Sequence, residues 1–476
     1  MEGATIEQVE VSKLPYERFE DVLGDELYDD LLDAVSRAEQ LLDGRRVWCV
    51  NSTARGGGVA EMLDSLLAYT RGAGIDTRWA VIEGDEEFFA VTKRLHNRLH
   101  GAAGDGAPLD DAARRAYEAT LKRNTGPLVD LIGAGDVVLL HDPQTAGLAA
   151  PLRDAGARVV WRSHVGADHP DGDVREAWDF LAPYVRDAER WVFSRREFAW
   201  EGLDEDRICV IPPSIDAFSA KNQDLEPGAV IAILAAAGLL ADGHGDAAFA
   251  RRDGSQARVE HVAEMTEEAP LPPDVPVVVQ VSRWDRLKDP RGVLTGFVSG
   301  VPRDTGAHLV IAGPQTTAVS DDPEGAEVLD KVQTAWRELD EPDRARVHLA
   351  GLPMADIEEN AAMVNALQRH AAVVVQKSLA EGFGLTIAEA MWKRRPVVAG
   401  RVGGIQDQVI HEETGLLIDD PTDLEAFGAA VSRLLSDTPY AERMGDAARV
   451  RVREHFLGAR HLQQWLAVFE DLLAES

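Results

Sequence analysis

At 476 residues the chain is too long for one compact core, and its formal charge of −33, from 82 acidic against 49 basic residues, repels nucleic acid and anionic membranes. Two cysteines, Cys49 and Cys209, each inside a predicted strand, exclude a disulfide framework and point to a reducing interior. Only eight of the basic residues are Lys, the other 41 being Arg. Such an acidic, Lys-poor surface is expected of a halophilic protein, because at ~1 M salt the Debye length shrinks to about 3 Å. The N-terminal MEGATIEQVEVSK is acidic and lacks an apolar signal core. The longest apolar run, Ala229 to Ala241, is shorter than the ~20 residues a membrane helix needs, so a soluble, cytoplasmic protein is expected.

Along the first half, β-rich apolar runs recur at Val47 to Val50, Arg78 to Ile82, Val137 to Leu140, Val159 to Trp161, Trp191 to Phe193 and Ile208 to Ile211, with amphipathic helical stretches between them. After the first run, Asn51 to Glu61 carries Gly56, Gly57 and Gly58 into a helix whose apolar face is Val59, Met62, Leu63, Leu66 and Leu67. Glycines let a backbone approach a ligand closely and the helix N-terminus favours an anion, so a diphosphate or sugar fits there. The dinucleotide fingerprint G-x-G-x-x-G is not matched, and a merely structural turn is the plain alternative. His141 and Asp142 end the third run, and Arg162-Ser163-His164 ends the fourth. Carboxyl ends of strands carry chemistry in wound sheets, so His141 and His164 can both face the cleft, a purely structural histidine being the plain alternative.

Pro212 to Asp216 reads as the exit from the first lobe, and Ala241 to Asp274, rich in Gly, Asp, Glu and Pro, as a mobile surface insertion. Gly101 to Asp111 reads as a second loose segment. After Pro276 the rhythm restarts, with runs at Val277 to Val281, Leu309 to Ala312, Val347 to Ala350, Ala372 to Val375, Pro396 to Ala399 and Leu416 to Ile418. Two such sets predict an α/β chain of two doubly wound, Rossmann-like domains facing across a cleft. Ser282 to Lys288 follows the first strand of the second set; Arg283 can fork onto phosphate oxygens and Lys288 adds a point charge. Surface salt bridges are the plain alternative. Lys377 to Pro396, KSLAEGFGLTIAEAMWKRRP, sets Glu381 and Glu389 eight positions apart astride the turn Gly382-Phe383-Gly384, with a helix expected over Thr386 to Lys393. Val402-Gly403-Gly404-Ile405 reads either as a lining of the same pocket or as tight strand-to-helix packing. The last helix, about Leu457 to Leu473, carries Leu462, Trp465, Leu466, Phe469 and Leu472 at helical spacing and must bury one face.

The EGFGLTIAEAMW stretch, with its Glu-x7-Glu pattern, resembles the retaining, nucleotide-sugar-dependent glycosyltransferases of the GT-B type, family four. Within that family, VNSTARGGGVAEML, TRWAVIEGDEEFFAVTKRLHNRLHG, HDPQ, WRSHV, IPPSID and VSRWD are similar to the trehalose glycosyltransferring synthases, which join glucose from a nucleoside diphosphate glucose to free glucose. The resemblance implies an acceptor-side domain over 1–216, completed by a crossing helix at about 457–476, and a donor domain over 217–456. It implies donor contacts from Gly56, Gly57, Gly58, Arg283, Lys288, Glu381, Gly382, Phe383, Gly384, Leu385, Thr386 and Glu389, with Glu389 on the ribose. Glu381, His164, Arg283 and Lys288 take the catalytic roles, and His141, Asp142, Glu83 and Trp79 face the acceptor. No obligatory metal is implied, with free Mg²⁺ available to assist the diphosphate, and UDP-, ADP- and GDP-glucose all stand open as donors. Asp289-Pro290 follows Lys288 where the family more often has Gly, and an insertion from about Asp224 to Pro273 matches less well. A retaining trehalose phosphorylase, a relative with another acceptor and a non-catalytic sugar-binding protein are the alternatives. Oligomeric state stays open between monomer and homodimer.

Overall fold

The computed structural model describes residues 4–54, 57–316 and 323–474. The chain forms two compact units, one from Met1–Ser214 with Phe456–Ser476 and the other from Ile215–His455.

The first unit is built on strands β1 (Glu7–Val9), β2 (Val47–Asn51), β3 (Thr77–Val81), β4 (Val137–His141), β5 (Arg158–Ser163), β6 (Arg190–Phe193) and β7 (Ile208–Val210), in sheet order β1-β3-β2-β4-β5-β6-β7. All pairs are parallel except β1 with β3. The central strands VWCVN and VVLLH are buried throughout, as wound sheets with helices on both faces require. The last helix, Gly458–Ala474, belongs to this unit because its apolar stripe has nowhere else to go: Leu466 packs on Ala34 and Ala38 of the helix Asp25–Leu41. Trp465, Phe469 and Leu472 are also buried, each contributing about 1.5–3 kcal/mol. Arg190 clamps the end of that helix through Asp471 at 2.8 Å.

The second unit contains β8 (Ala248–Ala250), β9 (Gln256–Arg258), β10 (Glu264–Thr266), β11 (Val277–Val281), β12 (His308–Pro314), β13 (Val347–Leu352), β14 (Val373–Gln376), β15 (Val397–Gly400) and β16 (Leu416–Ile418). Its main sheet runs β10-β13-β12-β11-β14-β15-β16, and β8 pairs with β9 separately. Here the reading of 241–274 as a loose insertion is corrected. β8 and β9 form a hairpin, and β10 adds to the sheet as an antiparallel edge. The anchor is Glu359, 4% exposed, whose carboxylate accepts from the backbone N–H groups of Glu260 and His261 at 2.6 and 2.7 Å. Three-residue strands carry too little sequence to announce themselves.

Strand order fixes where ligands bind. In a wound sheet the connections reverse direction at one point, and the crevice outside the carboxyl ends of the two strands there is the binding place. That point lies between β2 and β4 in the first unit and between β11 and β14 in the second. Asn51 and His141 end the first pair; Ser282 follows β11 and Lys377 follows β14.

Candidate functional site

In the second unit, β14 leads into Lys377 to Gly384 and then the helix Leu385–Trp392. Gly384 is the helix's N-cap with φ 83°, a left-handed conformation that glycine adopts at no steric cost. No side chain caps this first turn and no acidic residue lies in it, so its N–H groups and dipole remain suited to an anion. Leu385 and Thr386 stand on that turn, while Phe383 is buried. Glu381 is ion-paired with Lys288, and its Oε2 also accepts from Ser378 Oγ at 3.2 Å. The two loops touch through their backbones as well, Leu379 N–H donating to Leu287 O at 2.7 Å. Arg283 lies open, its side chain 70% exposed and paired with Asp285 at 3.2 Å. The structure therefore brings Lys288, Glu381 and the open turn together, with Arg283 on the same exit loop.

Glu389 is placed differently: it is buried in the middle of its eight-residue helix, 3.7 Å from Lys221. Lys393, one turn on and fully buried, donates to Glu389 O at 3.1 Å and to Asn222 Oδ1 at 2.9 Å. Burial holds its ammonium well below the ordinary lysine range, with Glu389 opposing that shift. Sequence reading missed Lys221 and Lys393, whose signal was only that Lys is scarce in this chain. The pair Gly403-Gly404 resolves toward packing. A Cβ on Gly403 would lie 1.6 Å from Glu381 O, and Gly404 N–H donates to Gly382 O at 3.0 Å. These glycines let the chain press against the back of the Glu381 turn, which Gln408 also holds through Phe383 O at 2.5 Å.

In the first unit, Gly57 and Gly58 open the helix Gly57–Gly72, whereas Gly56 lies outside the described residues. His141 and Arg162 sit in register on neighbouring strands. The imidazoles of His141 and His164 lie nearly parallel, with Nδ1 of His141 3.0 Å from Nε2 of His164. Asp142 follows His141 with φ 64°, a strained conformation for a residue with a Cβ, and its Oδ1 accepts from the His164 N–H at 2.8 Å. Burial pushes the Asp142 carboxyl up to about 7, opposed by the His164 N–H and the Arg162 charge. Strained backbone and a displaced carboxyl at a strand's carboxyl end are marks of a functional site.

Beneath them Arg162 is buried, its Nη1 3.0 Å from His461 Nε2, its Nη2 donating to Ile211 O at 3.3 Å, and its guanidinium over Trp465. Guanidinium only donates, so His461 accepts at Nε2, carries its proton on Nδ1 and gives it to Ser214 Oγ at 2.9 Å. Burial, with the Arg162 charge second, lowers His141 to about 3 and holds His164 and His461 well below the usual imidazole range, so near neutral pH all three are uncharged. Arg162 and His461 went unassigned in the sequence; a lone His on an apolar helix face is the signal that points to them.

Three expectations change. His141 is 1% exposed and supports His164 rather than presenting itself outward. Trp79 is a core residue, 2% exposed, with its indole N–H on Asn51 Oδ1 at 2.9 Å, because β3 is covered on the face it points to. Glu83 is exposed but turned to the N-terminal segment, accepting from Thr5 N–H at 2.8 Å. Cys49 is buried in β2, its thiol pushed up to about 12, and it serves as packing.

Among the described residues no helix is long and apolar enough to cross a membrane. Residues 49–200 match the family described as trehalose synthase, N-terminal domain, and residues 262–451 match glycosyl transferases group 1. The trehalose synthase of Pyrococcus horikoshii is 32% identical over 98% of this chain and 99% of its own, and that of Rubrobacter xylanophilus 35% identical over 96% of each. The trehalose phosphorylase of Pleurotus pulmonarius is more distant, at 24% over 91% of this chain and 58% of its own. Among solved structures, a trehalose-6-phosphate protein from E. coli bound with UDP-2-fluoro glucose superposes with a TM-score of 0.65 over 90% of this chain and 98% of that one, at 14% identity, a likeness of fold. With near full-length identity above 30%, a hexosyltransferase fold and both family domains in order, the chain belongs to the trehalose synthase family of glycosyltransferases.

Proposed function

We propose that this enzyme is a retaining glucosyltransferase that makes trehalose from a nucleoside diphosphate glucose and free glucose. The observation that carries the reading is the Lys288 to Glu381 contact beside an uncapped helix N-terminus at the switch point of the second unit. A cation, a carboxylate and free N–H groups in one place suit a sugar diphosphate, the first and last holding phosphate and the carboxylate facing the sugar.

In this reading the bond from glucose C1 to the diphosphate breaks, and its electron pair leaves with the nucleotide. Arg283, Lys288 and the N–H groups at Leu385 and Thr386 stabilise that negative charge, while Glu381 offsets the positive charge growing on the sugar. The anomeric hydroxyl of a second glucose attacks C1 from the face the diphosphate leaves, giving the α,α-1,1 link, and the hydroxyl proton departs with the diphosphate. His164, neutral and backed by His141, hydrogen-bonds the donor sugar, and Asp142 serves the acceptor. Glu389 binds the ribose, the role the family resemblance implies for it. No side chain becomes covalently attached; positioning and charge stabilisation carry the rate. No obligatory metal is part of this reading, and free Mg²⁺ would be available to assist the diphosphate.

The test is incubation of the protein in molar salt with glucose and UDP-, ADP- or GDP-glucose, scoring trehalose and free nucleotide by chromatography. Both products appearing together is the expected result. Trehalose from glucose 1-phosphate and glucose, with none from any nucleotide donor, would replace the reading with a phosphorylase.

A further inference from the structure

We propose that Asp289 and Lys377 form a positioning pair that holds Lys288 and Glu381 in the donor geometry; the proposal rests on the reading of those two as donor contacts. Asp289 adjoins Lys288 and sits at φ 46°, ψ 51°, in the left-handed region. Glycine adopts that conformation freely; an Asp there is under strain. What Asp supplies is its carboxylate. Oδ1 accepts from Gly292 N–H at 3.0 Å, capping the helix Pro290–Gly300, and Oδ2 receives the Lys377 ammonium.

Lys377 is the second half of the argument. Its side chain is 0% exposed, and its ammonium is shared between Asp289 and Pro421 O, the latter at 2.5 Å. An ammonium withdrawn from water is tolerated only where a carboxylate and hydrogen bonds replace the solvent, so this pair is a fixed part of the fold. Lys377 begins the loop that reaches Glu381, and Asp289 ends the one that carries Lys288. The same loops are thus crossed twice, by the Asp289 pair with the fully buried Lys377 and by the partly buried Lys288 to Glu381 pair, with the Leu379 to Leu287 backbone bond between. Gln280 steadies the near side, donating to Lys288 O at 2.8 Å. The crossing anchored on the buried Lys377 sets the register of the other. Here the strained Asp serves better than Gly, because Gly keeps the turn and loses the crossing.

The experiment compares the full-length protein with Lys377→Met, Asp289→Asn, Asp289→Gly and the Lys377→Met/Asp289→Asn double variant. Donor KM and kcat are read with the nucleoside diphosphate glucose the wild type uses, and backbone hydrogen exchange over residues 377–384 is read without substrate. Each single variant is expected to raise donor KM about tenfold and to lower kcat by about tenfold or more, because Lys288 and Glu381 shift together, and the double to be no worse than the poorer single, as coupled partners behave. Exchange over 377–384 is expected to quicken in every variant. Asp289→Gly binding donor like the wild type, or penalties that multiply in the double variant, would overturn the pair. If the wild type uses no nucleotide donor, the functional reading fails separately and exchange decides: unchanged protection over 377–384 overturns the proposal. Should Lys377→Met not fold, Asp289→Asn, whose side chain is 23% exposed, carries the same test.

Discussion

At the first unit's switch point the polar groups are buried and mostly uncharged, His141 against His164 with the Arg162 guanidinium beneath them; at the second unit's, Lys288 and Glu381 form a partly buried ion pair and Arg283 is open to solvent. The two sheets share an antiparallel edge and six parallel strands, yet differ in order, the strand that opens each parallel set lying second along that run in one and third in the other. One scaffold thus offers two chemistries. Neutral imidazoles and a protonatable carboxyl suit the hydroxyls of an uncharged sugar, whereas cations and a bare helix end suit a diphosphate. Desolvation dominates the first site, and Coulombic pairing the second.

Four substitutions break or sharpen that contrast. Glu381→Gln, which removes one charge and little volume, is expected to lower kcat by about 10³-fold with Tm nearly unchanged, measured by nucleotide release and calorimetry. A loss under tenfold would remove Glu381 from the chemistry. Gly403→Ala is expected to lower kcat by about 10²-fold and Tm with it, because its Cβ would sit 1.6 Å from Glu381 O and push that turn forward. Lys288→Ala is expected to raise donor KM by about tenfold, an effect that shrinks between low and molar salt; a salt-independent loss would mean the lysine acts by packing.

Asp142→Asn is read through stability, where its sign is cleanest. The folded-state carboxyl titrates near 7, above its ordinary 3.8, so the native state loses stability as pH rises from about 4 to 7. Asn removes that penalty, and Tm is expected to rise by about 2–4 °C at pH 8 and not at pH 4, by calorimetry across pH. The histidines run the other way. His141, depressed to about 3 in the folded unit, makes stability fall as pH drops below about 6.5, because only the unfolded chain then takes up the proton.

How far the sequence foretold this depends on the kind of residue. β-branched runs such as VVVQV in β11 and VVLLH in β4 announce buried parallel strands, because both faces of such strands are apolar. The Gly-Phe-Gly turn and the Lys288 loop announce themselves by residue type, since few side chains serve phosphate and few backbones allow its approach. What stayed hidden depends on direction. Trp79 reads as exposed or buried only when the face of β3 is known, and His461 meets Arg162 across 299 positions of chain. The edge strand β10 exists because β13 offers it an edge, and Glu359 gains meaning only once Glu260 and His261 lie upon it.

The helix Gly458–Ala474 has a consequence for how the molecule is made. Residues Ile215–His455 form a unit from one unbroken stretch, whereas the first unit needs Leu466, Trp465 and His461, which leave the ribosome only after that whole stretch has been synthesised. At about 5–20 residues per second, the nascent first unit waits tens of seconds with the seat for its last helix, Ala34, Ala38 and the Arg162 guanidinium, uncovered. The part translated second is therefore the part that can finish folding first.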